Sequence, residues 1–307
     1  MSGRDVIFCT TLEEAFAQVA LPYPGHLLEP GKMVRFPTSD KRGDTAGWCK
    51  LFDDGIGAAF GCHRAGTSYS WQQRASNAPP PNEQERQAAR AKAKQAQQQA
   101  AADLAAQYAN AAKVAAFKWS KTVELDPTHG YVARKGITPY RARQDRDGVI
   151  VLPVYGPDGA LQTLQYISPE AGKDKKFLYQ GKATGGRLFI GEPVDGQPLV
   201  LVEGWAKGCS VHEATGGTVV IGFSADNMTE VAADLRRQFP ASSLLVAGDL
   251  DADGKGLVSA QSAAAAGAPA IVLLPVFVDG REKGDWDDLQ RAEGLDAVRL
   301  QLQAKPD

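Results

Sequence analysis

Two acidic motifs of this chain stand directly after short apolar runs. Glu203 follows the run 199–202, and the stretch 249–253, Asp-Leu-Asp-Ala-Asp, follows the run 244–248. Runs of this kind are typical of buried strands in a parallel sheet, and ligands of open α/β sheets gather beyond the carboxyl ends of the strands. Carboxylates at that edge need a cation, and Mg²⁺ binds a few carboxylates while it keeps waters for a phosphate substrate. The motifs therefore predict a magnesium site for phosphate chemistry.

The three aspartates of the second motif are spaced two residues apart. In an extended segment such residues point to the same side, so Asp249, Asp251 and Asp253 could converge on one or two ions. A calcium loop also begins D-x-D-x-D-G, but it needs a glutamate at its twelfth position, which is Ala260 here, and a preceding helix. We therefore interpret the aspartates as ligands at a sheet edge, with a solvated acidic turn as the alternative.

A further acidic cluster comes after the last predicted strand. Asp285, Asp287 and Asp288 surround Trp286, at the start of an expected helix. Asp285 is well placed to cap that helix, because aspartate is favoured at the position before the first turn. Helix capping and support of a metal ion both remain open interpretations of this cluster.

The elements that must position these residues alternate between strand and helix. The predicted strands are 199–202, 218–222, 243–248 and 270–274. The predicted helices are about 205–214, 227–238 and 256–267, followed by a helical pair over roughly 286–303. Strands joined by helical crossovers form a parallel sheet with right-handed connections, so the last part of the chain is predicted to be α/β.

The rest of the chain divides into segments of different composition. We predict four domains or linkers: 1–77, rich in short strands and turns; 78–118, a Pro-rich break and helical linker; 119–190, a basic α+β subdomain; and 191–307, the catalytic α/β domain. The linker consists of strong helix formers, and a disordered low-complexity linker is the alternative. In the third segment, 149–155 and 161–167 flank a turn sequence and predict a hairpin.

Composition indicates a globular protein of 307 residues, with 43% hydrophobic and 23% charged residues. No apolar run approaches the roughly 20 residues of a membrane span, and the start lacks a signal pattern. The four cysteines are scattered, which favours reduced thiols. We therefore expect a cytoplasmic protein without a membrane partner.

The charge is distributed unevenly along the chain. Residues 116–190 carry 12 Lys+Arg against 7 Asp+Glu (+5), and residues 191–307 carry 9 against 18 (-9). This asymmetry fits phosphate handling or ordinary surface variation.

The order of the acidic motifs resembles the Toprim domain of bacterial-type DNA primases and topoisomerases. The motifs that carry the resemblance are Glu203-Gly204, Asp249-Leu250-Asp251 and Asp285-Trp286-Asp287-Asp288-Leu289. Upstream, 129–137 is similar to the YL-x-x-RG-I opening of the primase polymerase core, 149–155 to its first paired strand, and 175–179 to the KYL stretch before its Toprim unit. The phrase at 212–216, His-Glu-Ala-Thr-Gly, is especially like primases of plasmids and phages.

This resemblance implies roles for the acidic residues. Glu203 would be the acid/base or a metal-supporting carboxylate, and Asp249 and Asp251 would bind the catalytic Mg²⁺ or Mn²⁺. Asp253 and Asp287 would be further metal ligands. Two metal ions can activate an attacking 3′-hydroxyl and neutralise the leaving pyrophosphate, so the implied ligands suit nucleotidyl transfer.

Basic residues are expected to line a template and nucleotide channel, although any one of them is more often plain surface. The expected set is Arg134, Lys135, Lys173, Lys175, Lys176, Lys182, Arg187 and Lys207. Tyr166 or Phe177 would be available to stack bases. Lys207 departs from the pattern, because many Toprim domains have an acidic or small residue there. Its ammonium could reach a phosphate or displace a metal ion, and both interpretations stay open.

The first segment resembles the zinc-ribbon domain of these primases, with 60–66 in the place of its second knuckle. A structural zinc site needs four Cys or His in paired spacing. Cys49, Cys62 and His63 do not supply that pattern. We expect a ribbon-like domain that grips template DNA without zinc.

The predicted fold is therefore a Toprim-type parallel sheet flanked by helices, preceded by a small basic α+β subdomain and a zinc-ribbon-like β domain joined by a long helix. The predicted function is a DNA primase of plasmid or phage type, a nucleotidyltransferase that makes RNA primers from NTPs on single-stranded DNA. A Toprim nuclease and a non-catalytic DNA-binding replication-initiation module are the alternatives. No G-x-x-x-x-G-K-[ST] motif occurs, so a separate replicative helicase is expected as partner.

Overall fold

The structure is a computed structural model of the chain. It describes residues 5–41, 43–74, 83–170, 172, 175–252 and 254–303. The chain divides into two compact units, Met1–Lys94 and Gln95–Asp307. Each unit is described below by itself, and the boundaries predicted at 77/78, 118/119 and 190/191 stay predictions. Across the described residues, no helix has both the length and the apolar character that a membrane crossing requires.

The first unit contains a five-stranded sheet in the order β1-β5-β4-β3-β2. Its strands are β1 Asp5–Cys9, β2 Met33–Phe36, β3 Gly47–Leu51, β4 Gly57–Cys62 and β5 Thr67–Gln73. Strands β1 and β5 pair in parallel, and the other pairs are antiparallel. Helix α1, Leu12–Gln18, begins at a capping box between Thr11 and Glu14. Phe16 of α1 stacks on Phe60 of β4 with ring centroids 4.2 Å apart, which fastens the helix to the sheet.

Two cysteines of the ribbon-like segment, Cys49 and Cys62, lie in separate surroundings in this unit. Cys49 is buried in the core beneath α1, and the sulfur of Cys62 lies 3.6 Å from the hydroxyl of Thr38. Within the described part of the chain, no group of three metal-ligating side chains contains a cysteine or histidine. The likeness to a zinc ribbon therefore stays a prediction, and the loop between β2 and β3 is joined to the turn after β4 by another kind of centre.

That centre is the carboxylate of Asp44, whose side chain is 1% exposed. Its Oδ2 accepts hydrogen bonds from the backbone N–H of Thr38 at 2.8 Å, from the hydroxyl of the same residue at 3.3 Å and from Ser39 Oγ at 2.9 Å. Its Oδ1 accepts from the N–H of Ala46 at 3.0 Å and from Arg64 Nη2 at 2.6 Å. Burial alone would raise the pKa of Asp44, but these hydrogen bonds outweigh it and hold the pKa well below its usual range.

We predict that Asp44→Asn loosens the segment 38–46, because an amide has one acceptor oxygen where the carboxylate has two. Hydrogen–deuterium exchange of the peptide containing residues 38–46 should become faster in the variant at neutral pH. A depressed folded-state pKa stabilises the fold above the unfolded-state pKa of about 3.9, and that stabilisation is lost as the pH falls below it. Wild-type protection should therefore drop below about pH 4, and protection in the Asp44→Asn variant should depend less on pH in that window.

The matched control is Asp40→Asn, which changes an exposed aspartate within the same segment. It should leave the exchange of residues 38–46 unchanged. Equal exchange in the Asp44 and Asp40 variants would contradict the role assigned to the Asp44 carboxylate.

Helix α2 covers Glu83–Ser120, 38 residues, where the sequence predicts a helical linker. Near its end Ala115 is buried against Val151 and Leu164. The predicted Pro-rich break at 78–81 lies outside the described residues.

The second unit begins with an antiparallel sheet in the order β10-β9-β8-β7-β6. Its strands are β6 Val123–Glu124, β7 Arg143–Gln144, β8 Ile150–Tyr155, β9 Leu161–Ile167 and β10 Lys176–Phe177, with helix α3 at Gly130–Lys135. The predicted hairpin is confirmed as β8 and β9. Helix α3 ends at Gly136, whose φ of 62° is the left-handed conformation that glycine adopts most readily.

The third sheet has the order β11-β13-β12-β14-β15. Its strands are β11 Leu188–Ile190, β12 Leu199–Val202, β13 Thr218–Ile221, β14 Leu244–Ala247 and β15 Ala270–Leu273. Its helices are α4 Trp205–Thr215, α5 Ala225–Gln238, α6 Lys255–Ala266, α7 Trp286–Glu293 and α8 Leu295–Gln303. The predicted parallel sheet is confirmed for β12 to β15. The sequence missed β11, a three-residue strand that pairs antiparallel with β13.

The prediction that Arg187 lines a nucleotide channel is wrong, because this residue is buried. Its residue is 1% exposed, and its guanidinium donates to Asp234 Oδ2 at 2.5 Å and to Gln238 Oε1 at 2.8 Å. Asp234 also accepts from Arg237 at 2.6 Å. Burial alone would raise the pKa of Asp234, but the two guanidinium groups lower it. Arg187 therefore fastens α5 to the start of β11.

We predict that Asp234→Ala destabilises the second unit, because it leaves the buried Arg187 charge without its partner. The free energy of unfolding should fall by about 3–5 kcal/mol, the usual cost of breaking a buried pair. Asp296→Ala removes an exposed pair with Arg299, whose side chains are 78% and 48% exposed, and should cost less than about 1 kcal/mol. Urea unfolding of both variants measures the difference, and equal losses would contradict the buried role of Arg187.

Candidate metal and nucleotide site

The parallel register brings two acidic motifs to one edge of the third sheet. Val202, the last residue of β12, pairs with Ala247, the last residue of β14. Glu203 and Asp249 follow these strand ends within two residues, so both lie beyond the carboxyl edge. Glu203 is half-buried, and burial raises its pKa above the ordinary value, with the neighbouring Asp249 adding to that effect and Lys207 opposing it.

Lys207 is paired with Asp249 and is also close enough to Glu203 to interact with its charge. Its Nζ donates to both carboxylate oxygens of Asp249 at 2.6 Å. The residue is 6% exposed. Burial alone would lower the pKa of Lys207, but the charges of Asp249 and Glu203 outweigh it and raise the pKa. The ammonium is therefore a buried permanent cation at the sheet edge.

A third acidic segment reaches the same edge through backbone contacts. Leu250 and Gly284 exchange two backbone hydrogen bonds, at 3.0 and 2.9 Å. The indole N–H of the buried Trp286 donates to the carbonyl oxygen of Gly248 at 3.0 Å. These contacts place the start of α7, with its aspartates, beside the loop that carries Asp249.

The start of α7 gathers three carboxylates. Oxygen atoms of Asp285, Asp287 and Asp288 all lie within 4.8 Å of one another, and no other such group exists in the part of the chain that the structure describes. Asp285 also caps α7, since it forms a capping box with Asp288. Capping is thus observed here, and it leaves oxygen atoms of the cluster free for a further ligand.

Two basic residues partly balance this cluster. Lys135 Nζ donates to Asp287 Oδ2 at 2.6 Å, and Arg291 contacts both Asp287 and Asp288. The other oxygen of Asp287, Oδ1, is buried and has no hydrogen-bond partner. A buried carboxylate oxygen without a donor is costly, and a bound cation would satisfy it.

The loop after β14 carries the remaining predicted ligands. Asp251 Oδ2 accepts the backbone N–H of Gly256 at 3.0 Å, so this carboxylate helps to cap α6. A side chain at Gly256 would place its Cβ 2.4 Å from the carbonyl oxygen of Asp249, which explains the glycine there. Asp253 lies outside the described residues. The carboxylates at 203, 249 and 251 do not all lie within 4.8 Å of one another.

The donor set fits a magnesium ion. Mg²⁺ prefers carboxylate oxygens and keeps several waters, and Asp285, Asp287 and Asp288 offer such oxygens together with the unpartnered Oδ1 of Asp287. Bound there, the ion would supply positive charge for a phosphate. The sequence left metal support by this cluster open and named only Asp287 as a ligand, although the spacing of three residues between Asp285 and Asp288 at a helix start signals that they can face each other.

The basic residues predicted to line a channel differ in exposure and in their partners. Lys135 and Lys207 hold the carboxylates described above, while Lys175, Lys176 and Arg134 are exposed and Lys182 is half-buried. The ammonium of Lys175 lies 3.5 Å from the point where a Cβ on Gly204 would be, which places it over the start of α4. Lys173 lies outside the described residues.

The predicted stacking residues are partly buried. Phe177 packs edge-to-face against Phe223, with centroids 6.1 Å apart. The hydroxyl of Tyr166 is buried without a hydrogen-bond partner. Their rings are therefore partly engaged in internal packing.

Comparison with known proteins identifies the acidic sheet edge. Residues 198–296 match the family described as Toprim domain. This segment is similar to Toprim domains. It contains the whole parallel part of the third sheet from β12 onward, together with Glu203, Lys207, Asp249 and the aspartates at the start of α7.

Relatives that match most or half of the chain are DNA primases. A DNA primase TraC of Escherichia coli is 29% identical over 300 residues, 88% of this chain and 27% of that protein. Another DNA primase TraC of Escherichia coli is 30% identical over 168 residues, 50% of this chain and 11% of that protein. The chain thus spans about a quarter or less of the length of these relatives. The resemblance to Toprim-containing primases of the plasmid and phage kind is confirmed.

A solved structure is also similar to part of the chain. The RNA polymerase domain of Mycobacterium tuberculosis primase DnaG aligns with 65% of this chain and 82% of that domain, with 17% identity and a TM-score of 0.39.

We predict that Asp287→Asn weakens the binding of Mn²⁺, used as a spectroscopic substitute for Mg²⁺, because it removes one charged ligand of the cluster. The dissociation constant should rise at least about tenfold, measured by electron paramagnetic resonance of free Mn²⁺. Asp296→Asn, on the exposed face of α8, serves as the matched control and should leave binding unchanged. Wild-type affinity in the Asp287 variant would show that the cluster is only a helix cap.

Proposed function

We propose that this chain is the catalytic part of a DNA primase of plasmid or phage type. It makes short RNA primers from ribonucleoside triphosphates on a single-stranded DNA template, with Mg²⁺ or Mn²⁺ as cofactor. The observation that carries the proposal is the meeting of three acidic segments of a Toprim domain at one sheet edge, with the buried Lys207 and the partly buried Lys135 among them. Nucleotidyl transfer needs charge and positioning of this kind.

The residues of this edge have defined tasks in the proposed reaction. The 3′-oxygen of the growing primer attacks the α-phosphorus of the incoming nucleotide, a new P–O bond forms, and pyrophosphate leaves with the electrons of the broken bond. Glu203 accepts the proton of the attacking hydroxyl, and its raised pKa brings it closer to neutral pH as a base. Bound Mg²⁺ would supply positive charge to the triphosphate. Asp285, Asp287 and Asp288 would hold one such cation, and Asp249 and Asp251 would hold a second.

The exposed basic residues are the proposed contacts for the nucleic acid. Arg134, Lys175 and Lys176 belong to the subdomain that precedes the Toprim domain, and their side chains are open to solvent. Phosphate contacts by such residues fix the position of a strand without reading its sequence. We further propose that the first unit grips template DNA without zinc, that a separate helicase unwinds the template, and that the reaction takes place in the cytoplasm.

The experiment is a primer-synthesis assay with Glu203→Gln and Asp249→Asn on random single-stranded templates, with labelled NTPs and Mg²⁺. Each change removes a charge that acts on the reacting groups, so we expect primer synthesis to fall at least about a hundredfold. Template binding, followed by fluorescence anisotropy, should change by less than about threefold, because the exposed lysines remain.

The control is Asp296→Asn, which should make primers at the wild-type rate. Full activity in both the Glu203 and Asp249 variants would reject the proposed roles. A nuclease would shorten labelled single-stranded DNA with Mg²⁺ alone, whereas a primase forms products longer than one nucleotide only when NTPs are added. Shortening without NTP-dependent products would therefore replace the primase proposal.

A further inference from the structure

Lys207 stands where a lysine is electrostatically unfavourable in an isolated helix. It is the third residue of α4, and the first turn of a helix carries partial positive charge. The residue is also almost fully buried, at 6% exposure. A buried ammonium needs a partner, and here both oxygens of Asp249 supply it at 2.6 Å. The position of Lys207 is thus explained by the carboxylate and not by the helix.

The same two oxygens are those that the proposed function assigns to a divalent cation. One oxygen of Asp249 cannot lie at 2.6 Å from an ammonium and at the roughly 2.1 Å of a Mg²⁺ ligand in the same direction. The ion pair is therefore a competitor of the cation at this residue. The carboxylates at the start of α7 do not contact Lys207 through any hydrogen bond, so the competition concerns Asp249 specifically.

A second lysine, Lys175, lies close to Lys207 at the start of α4. The Cε of Lys207 lies 3.2 Å from the point where a Cβ on Gly204 would be, and the ammonium of Lys175 lies 3.5 Å from the same point. Because Gly204 has no side chain, both lysine side chains can approach this point, and their two positive charges would attract an anion. Rotation of the Lys207 side chain would turn its Nζ away from Asp249 and free it for an anion, because a lysine has several rotatable bonds and three donors.

We propose that Lys207 is an exchangeable counter-ion: it holds Asp249 until a divalent cation binds, and then pairs with a phosphate of the incoming nucleotide beside Gly204. This inference rests on the proposed function, since it names how one residue of the same site couples cation binding to nucleotide binding. Lys207 is a positioning residue for the cation and a binding residue for the triphosphate. The two tasks predict effects of opposite sign when the charge is removed.

The first test is Lys207→Met, which keeps the length of the side chain and removes its charge. Mn²⁺ binding, measured by electron paramagnetic resonance, should tighten about tenfold, because the cation no longer competes with the ammonium for Asp249. Binding of a non-hydrolysable ribonucleoside triphosphate at saturating Mn²⁺, measured by calorimetry, should weaken about tenfold. Lys118→Met, which changes an exposed lysine of α2, is the control and should alter neither constant.

Two outcomes overturn the inference. If Lys207→Met binds Mn²⁺ no more tightly than the wild type, the ammonium does not compete with the cation. If triphosphate binding is unchanged, Lys207 has no phosphate partner. A merely structural lysine would shift neither constant or would weaken both.

A second variant tests the inference if Lys207→Met does not fold. In metal-free buffer, Asp249→Asn should release the ammonium and tighten binding of the triphosphate about threefold or more relative to the wild type. A residue that serves only as a metal ligand would have no effect without metal, and that result would also overturn the inference. None of these measurements requires primer synthesis. If the primer assay failed while the binding measurements came out as expected, the proposed primase activity would be rejected and the counter-ion role of Lys207 would stand.

Discussion

Charge balance at the carboxyl edge of the third sheet is the constraint around which the second unit is organised. Glu203, Asp249 and Asp287 lose much of their contact with water there, and buried carboxylates need cations. Lys207 and Lys135 supply two of these charges, from α4 and from the end of α3. Acidic groups still remain in excess, which leaves the edge attractive to a divalent cation.

Backbone hydrogen bonds position these charged residues relative to one another. The register of β12 and β14 aligns two strand ends, and the short ladder between Leu250 and Gly284 adds the start of α7. Trp286 then locks that start against Gly248, since its indole is fully buried and donates to the carbonyl. The helix cap at Asp285 has a second consequence, because it turns neighbouring carboxylates toward one another. Fold stability and ligand geometry thus come from the same few contacts.

In the first unit, the buried carboxylate of Asp44 holds loop segments together. Asp44 collects donors from two backbone groups, two hydroxyls and a guanidinium. A metal ion joins chain segments by accepting electron pairs from several side chains, whereas this carboxylate joins them by accepting hydrogen bonds from several donors. Both arrangements need one fully satisfied central group, which is why the charge of Asp44 can be buried.

The apolar runs of the sequence were sufficient to predict the parallel strands and the hairpin of β8 and β9. They also predicted that Glu203 and Asp249 stand at strand ends, because run length and spacing reflect local structure. Only tertiary contacts decided that Lys207 pairs with Asp249, 42 residues away, that Asp285 and Asp288 join the site, and that Arg187 is buried. These outcomes depend on which side chains are removed from water and which distant partners meet them. The sequence shows which residues are charged, but the packing of the chain determines which partner each charged side chain has.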